Sequence, residues 1–318
     1  MAAQMSEKER LRQIVDRKAR GLPLPAFFVS TDLGYLRIVW EKRPHSAEAD
    51  DFRDYFPIRI VTLLEVFTRD WIRALVDHGS PYTENAARLA RDSNLKFDYA
   101  VSEALVGRSF SLGDLVAHGI SINNLDQLAG HFTKILGHDF LPPLATVHDR
   151  ASVELRGKPK HPIISDLNEM CRRLARLFEV RHIVTHERPR EPQYALSEID
   201  QFFDAARMFI KATNERLAFL MHGDYPLTQA DMTRAAGDEL AQVQKALAAL
   251  LSDMGVEQDL KLKEVQQAWE SFADKHARLV SRVDEPFSGS MAPMIYAMTK
   301  TRLTRERIKL LEDERQER

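Results

Sequence analysis

The chain has 318 residues, 44% hydrophobic and 29% charged, with a formal net charge of -2. That balance argues against extended disorder and, with no apolar run near the roughly 20 residues of a membrane helix, against a membrane span. Slight acidity excludes a globally basic nucleic-acid binder but leaves room for a local basic patch.

Met1 to Leu22 is polar where a signal peptide needs an apolar stretch. The single cysteine, Cys171, has no intramolecular partner for a disulfide and reads as a small core residue. The expected location is the cytoplasm, without membrane association.

Residues 1–55 read as an N-terminal extension packed on a first module. Within it, Phe27 to Trp40 is rich in aromatic and β-branched residues around Asp32-Leu33-Gly34, a pattern that a hairpin and a short helix satisfy equally. Ile60 to His78 is amphipathic and stops at Gly79. Ser121 to Leu136 begins in a Ser/Asn cluster suited to capping and stops at Gly137. A long helix is predicted from Pro162 to about Arg188, closed by Pro189. The next starts at Ser197, whose hydroxyl can cap with Asp200 three residues on, and ends at His222 before Gly223.

Gly223 and Pro226 mark residues 224–227 as a linker. Thr228 and Asp231 then open a helix to about Ser252, and another runs from about Glu257 to Val283. A Pro/Gly/Ser loop follows from Glu285 to Pro293, then a closing helix from Thr304 with a charged tail, Glu312 to Arg318. The fold class is all-α, in two modules spanning 56–223 and 228–318.

Between Arg156 and Arg190 nine Lys and Arg stand against four acids, the largest local bias in the chain. A solvated helix face is the plain reading of such a run. The run also surrounds an unusual constellation. At about 100° per residue, Leu167, Met170, Cys171, Leu174, Leu177 and Phe178 share one stripe, and Arg181 continues it. A guanidinium there must meet a carboxylate, a phosphate or an open cleft at an interface. His182 and His186 lie one turn apart on its flank, at a helix end whose partial negative charge favours protonated imidazole. Arg offers a fixed fork of donors to phosphate oxygens, and His can exchange protons.

Arg181-His182-Ile183-Val184-Thr185-His186 resembles the Arg, polar residue, three residues, His signature of HEPN domains. The likeness covers about Phe56 to Gly223, including Leu64-Glu65-Val66-Phe67 and the helix start Ile122-Asn123-Asn124-Leu125. It implies a helical bundle acting as a metal-independent endoribonuclease of toxin or anti-phage defence type. It further implies Arg181 and His186 as the catalytic pair, His182 in support, RNA as substrate, and a homodimer that builds one composite site. No cofactor and no metal is implied. Two other readings of the same residues stay open. Arg181 can be a structural ion-pair residue, bonded to Glu65 or another acid, in a noncatalytic binding module. His182 and His186 can also be two metal ligands at i and i+4, although no intervening Glu or nearby Cys accompanies them.

Thr228-Gln-Ala-Asp-Met232, Gln266-Gln-Ala-Trp269 with Phe272 and Asp274, Gly289-Ser-Met-Ala-Pro-Met-Ile-Tyr296, and Leu303-Thr304 with Arg307 resemble the LprI-type family. These are small helical domains named for lysozyme-inhibitor lipoproteins. Members of that family typically carry cysteines at positions aligning with Ala235, Ala277 and Thr299, all absent here. The resemblance therefore implies a domain adapted to a reducing compartment rather than a lysozyme inhibitor. Trp269, Phe272, Met294 and Tyr296 are expected in its core. The module is expected to act as a sensor, regulator or assembly element, answering to an unidentified protein trigger.

Overall fold

Val29, Leu33, Leu36 and Trp40 recur every three or four residues and are all buried, so residues Pro25–Glu41 form a helix, α1, and not a hairpin. Gly34 sits inside it at a small propensity cost. Helix α2, Tyr55–His78, buries Ile60, Leu64, Phe67, Ile72 and Leu75 completely. Helix α3, Tyr82–Asp92, and α4, Leu112–Gly119, follow. Gly113 lets the start of α4 press on the end of α2, since a Cβ there would lie 2.4 Å from the Arg73 carbonyl oxygen. Asp77 accepts hydrogen bonds from Gly113 N at 2.9 Å and Ser111 Oγ at 2.6 Å where the two helices meet.

Helix α5, Leu125–Leu136, is capped by Asn124, whose side chain accepts from Gln127 N, and stops at Gly137 in the left-handed conformation, φ 79°. Two short helices, α6 (Leu141–Leu144) and α7 (Arg150–Glu154), lead to α8, Leu167–His186, and α9, Leu196–His222. Helix α8 starts later than the sequence suggests. Pro162 lies in extended chain, bridged antiparallel to His148, with Ile163 N donating to Val147 O, and Asp166 supplies the N-cap. The cap of α9 also differs from the one the sequence suggests. Ser197 is already inside the helix, and the Glu198 carboxylate accepts from Ala195 N at 2.8 Å.

The computed structural model describes residues 9, 12–16, 25–44, 46, 52–92, 110–187, 191–256, 258–286 and 289–316, among which no strand occurs. Arg188, Pro189 and Arg190 of the basic run lie outside them. The chain is all-α and divides into two compact units, 1–223 and 224–318. In the first, α2, α5, α8 and α9 enclose one continuous core. Polar bonds pin the outer helices onto α9: Trp40 Nε1 to Asp200 at 2.9 Å, Arg37 to Asp204 at 2.6 Å, and Trp71 Nε1 to Asn214 at 2.8 Å. Cys171 is half-buried against the same core, and burial pushes its thiol up.

The second unit comprises α10 (Gln229–Asp253), α11 (Leu260–Ser281) and α12 (Ala292–Gln316). Thr228 caps α10, its hydroxyl accepting from Asp231 N at 3.0 Å. Helix α12 begins a full three turns before Thr304, because Pro293 occupies the first turn, where a missing N–H costs nothing. Both α10 and α11 pack on α12. Leu247, Leu251, Leu262 and Leu311 form the core, with Trp269 partly buried against them. Ala273, Ala277, Ala297 and Thr301 are buried as well, and such small side chains allow close approach of helices. Phe272 does not join this core. It is 55% exposed and stacks on His276, because its position on α11 points away from the Leu262, Ala273 and Ala277 face.

Candidate functional site

The C-terminal half of α8 carries the Arg181–His186 motif, and its placement follows from the stripe beneath it. Met170, Leu174, Leu177, Phe178 and Val180 are buried against α2 and α9. That anchors the helix and leaves its last turn at the surface. His182 and His186 are exposed, with ring centroids 5.0 Å apart and planes inclined by 50°. Thr185 Oγ1 donates to the Arg181 carbonyl at 2.5 Å, and Glu187 N donates to Ile183 O at 2.9 Å, which closes the helix.

Arg181 has a quarter of its side chain exposed, and its Nη2 lies 3.7 Å from Glu65 Oε1 on α2. Glu65 is more closely engaged by Arg69, whose Nη1 donates to Oε2 at 3.2 Å. One carboxylate thus faces two guanidinium groups, and the trio keeps one positive charge. Arg69 escapes the sequence motif, although its i,i+4 spacing from Glu65 is a usable signal. The structure brings the two imidazoles together and sets the guanidinium beside Glu65. One cleft of the first unit, around Asp149 and Lys211, and one of the second, around Leu247 and Trp269, are lined by other residues. Among the described residues no group of three His, Cys, Asp or Glu stands where it could hold a metal.

The cations on the opposite face of α8 are largely neutralised. Arg172 and Arg173 both bond Glu169, whose carboxyl their hydrogen bonds lower to about 2. Arg176 bonds Glu179, Glu198 and the Gln193 carbonyl, at 2.8, 3.3 and 2.6 Å. It therefore ties α8 to the chain entering α9, and its charge is met by two carboxylates.

In the second unit α11 and α12 are joined by a polar network. Asp274 accepts from Tyr296 OH at 2.5 Å, Arg278 Nε at 2.8 Å and Lys300 Nζ at 3.2 Å. These residues include the Asp274 and Tyr296 positions noted in the sequence. Residues 224–311 match the family model described as Lysozyme inhibitor LprI. The C-terminal unit is an LprI-type domain. No curated protein and no solved structure matches the chain. Of the positions where LprI-type proteins typically carry cysteine, Ala277 is fully buried and Ala235 is exposed. Packing of α11 on α12 and the Asp274 network do the joining here.

The Asp274 network carries a pH signature. Hydrogen bonds from Tyr296 and Arg278 outweigh partial burial, and that from Lys300 adds to them, holding the carboxyl well below the usual carboxylate range. A carboxyl depressed in the folded state stabilises fully above its unfolded value, about 3.9, and loses that contribution as pH falls towards the folded value. Asp274→Asn is expected to melt earlier than wild type at pH 7 and to converge with it as the pH falls below about 4. Thermal unfolding followed by circular dichroism at several pH values tests this, and a pH-independent gap would rule out an ionised Asp274 as its source.

No helix among the described residues is long and apolar enough to cross a membrane.

Proposed function

We propose that the first unit is a metal-independent endoribonuclease of HEPN type, with Arg181 and His186 as the catalytic pair and His182 in support. One observation carries the reading. A partly exposed guanidinium and two adjacent, exposed imidazoles share the last turns of one helix, where the carboxylate beside the guanidinium is already bonded to Arg69. Arg181 therefore retains charge for a phosphate oxygen, and the imidazoles stand where a strand can reach them.

In this reading the 2′-hydroxyl of the RNA attacks the adjacent phosphorus and the P–O5′ bond breaks. One proton leaves the 2′-oxygen and one reaches the 5′-oxygen. His186 moves one of these protons, and Arg181 stabilises the charge that builds on the non-bridging oxygens. Two protomers pair to complete the site, and the LprI-type unit serves as sensor, regulator or assembly element in a defence or toxin role.

The test is cleavage of single-stranded RNA by the full chain in excess EDTA. Cleavage that survives chelation supports the reading, and cleavage that stops on chelation and returns with added divalent metal overturns it.

A second reading, a noncatalytic RNA-binding or protein-interaction module, is favoured by the Arg181–Glu65 approach at 3.7 Å. It treats the guanidinium as a link between α8 and α2. In that case neither motif residue affects any turnover, and Arg181→Ala lowers stability instead.

A further inference from the structure

Among the described residues, six cations of the basic run fall into two groups with different fates. Arg172, Arg173 and Arg176 are paired on the face of α8. Arg156, Lys158 and Lys160, in the exposed segment before α8, pair with no acid among the described residues. The chain folds this segment towards the middle of α9, through the His148–Pro162 bridge and the Ile163 N to Val147 O bond. Lys158, His161, Arg207 and Lys211 thereby come to line one cleft of about 390 Å³.

Charge within that cleft is unevenly balanced. Asp149 is its acid, and it is engaged by Lys211 at 2.5 Å and by Ser152 Oγ at 2.7 Å. Arg207 approaches Asp204 at 3.4 Å, but the same Asp204 oxygen is held more tightly by Arg37, at 2.6 Å. Arg207 and Lys158 are thus left with unspent charge on the two walls. Pro159, Ile163 and Met208 add apolar lining to the same cleft.

We infer that this cleft is a backbone-binding exosite for single-stranded RNA, distinct from the Arg181–His186 turn. Cations on both walls of a cleft that also has apolar lining suit a ligand that repeats its negative charge along an edge and presents flat apolar faces. A lone phosphate is best held by donors converging on one point, and Lys211, the cation that bridges the two walls, is already engaged by Asp149. Lys211 is 15 residues along α9 from Leu196, the end nearer the motif, or about 22 Å at the α-helical rise. A strand of several nucleotides, not one, is the ligand that spans such a distance. The inference rests on the ribonuclease reading for its choice of nucleic acid, but binding is measurable without cleavage.

The test uses the full-length His186→Ala protein and a fluorescein-labelled, unstructured 12-nucleotide RNA, titrated at several salt concentrations. Adding Lys158→Ala and Arg207→Ala is expected to weaken binding at least about 10-fold near 100 mM salt. It should also reduce the slope of log K against log salt by about 1.4, or about 0.7 for each phosphate that is no longer neutralised. The charge-matched pair Lys275→Ala with Arg302→Ala is expected to leave both quantities unchanged. Equal affinity and slope in the cleft variant, equal loss in the charge-matched pair, or displacement of the RNA by an equimolar phosphorylated peptide would each overturn the exosite. Binding lost through the cleft in a protein whose wild type cleaves nothing would instead remove the nuclease reading and keep the exosite.

Discussion

His186→Ala is expected to lower RNA cleavage by about 10²- to 10⁴-fold, the range that a positioned proton-transfer group contributes. The ring is exposed and has no hydrogen bond to a described residue, so its removal should leave the melting temperature unchanged. Arg181→Ala is expected to lower cleavage by about 10²- to 10³-fold, as for loss of one preorganised donor to a developing oxyanion. Its effect on folding should be small, because Glu65 keeps its hydrogen bond from Arg69 when Arg181 is truncated. Arg181→Lys keeps the charge but not the two-pronged fork, and partial activity is expected. These outcomes separate the two readings of the motif. A structural link predicts that Arg181→Ala and Glu65→Gln destabilise alike with cleavage untouched. Single-turnover cleavage beside urea unfolding of the same variants decides between them, and wild-type activity in either alanine variant would sink the assigned roles.

Phe209→Ala is expected to destabilise the first unit by about 3–5 kcal/mol, the usual cost of deleting a fully buried phenyl ring. Phe209 is completely buried on α9, with its ring centroid 6.3 Å from that of Phe67 on α2 and 6.0 Å from that of Phe140 before α6. Truncation therefore opens a cavity where separate elements meet, and no single side chain can relax to fill it. Phe209→Leu, which keeps most of the volume, should cost less than about 1.5 kcal/mol. The loss should appear in the transition of residues 1–223, since Phe209 belongs to that unit's core. Urea unfolding of the full chain measures it, and a loss below about 1 kcal/mol would show that the ring is not the packing centre described.

Much of the helical framework is legible in the sequence because local signals and burial agree. Gly137 stops α5 in a left-handed turn, Gly223 follows α9, and the Thr228 hydroxyl opens α10. Each of those ends is decided by a few neighbouring residues. The ends that sequence misplaces have competing local solutions. Pro162 suits the first turn of a helix as well as an extended bridge, and only the facing segment at His148 selects the second. Pro293 sits in a loop-like sequence of Gly, Ser and Pro, yet the buried Ala292, Ala297 and Thr301 carry α12 through it. Residue type alone assigns Phe272 to a core, but its turn of α11 faces away from the helix that α11 packs on.

The sequence by itself determined that the chain is helical, which face of each helix is apolar, and that an arginine and two histidines gather at one helix end. It also carried the LprI-type signature of the C-terminal unit. Only the tertiary structure decided which charges are spoken for. Ion pairing depends here on residues far apart in the chain, such as Glu65 with Arg181, Asp149 with Lys211, and Asp204 with Arg37. Periodicity records which side of a helix is buried, but not which neighbour lies across from it. The cations of the basic run therefore look alike in sequence, while packing neutralises Arg172, Arg173 and Arg176 on α8 and leaves Lys158 lining a cleft against α9.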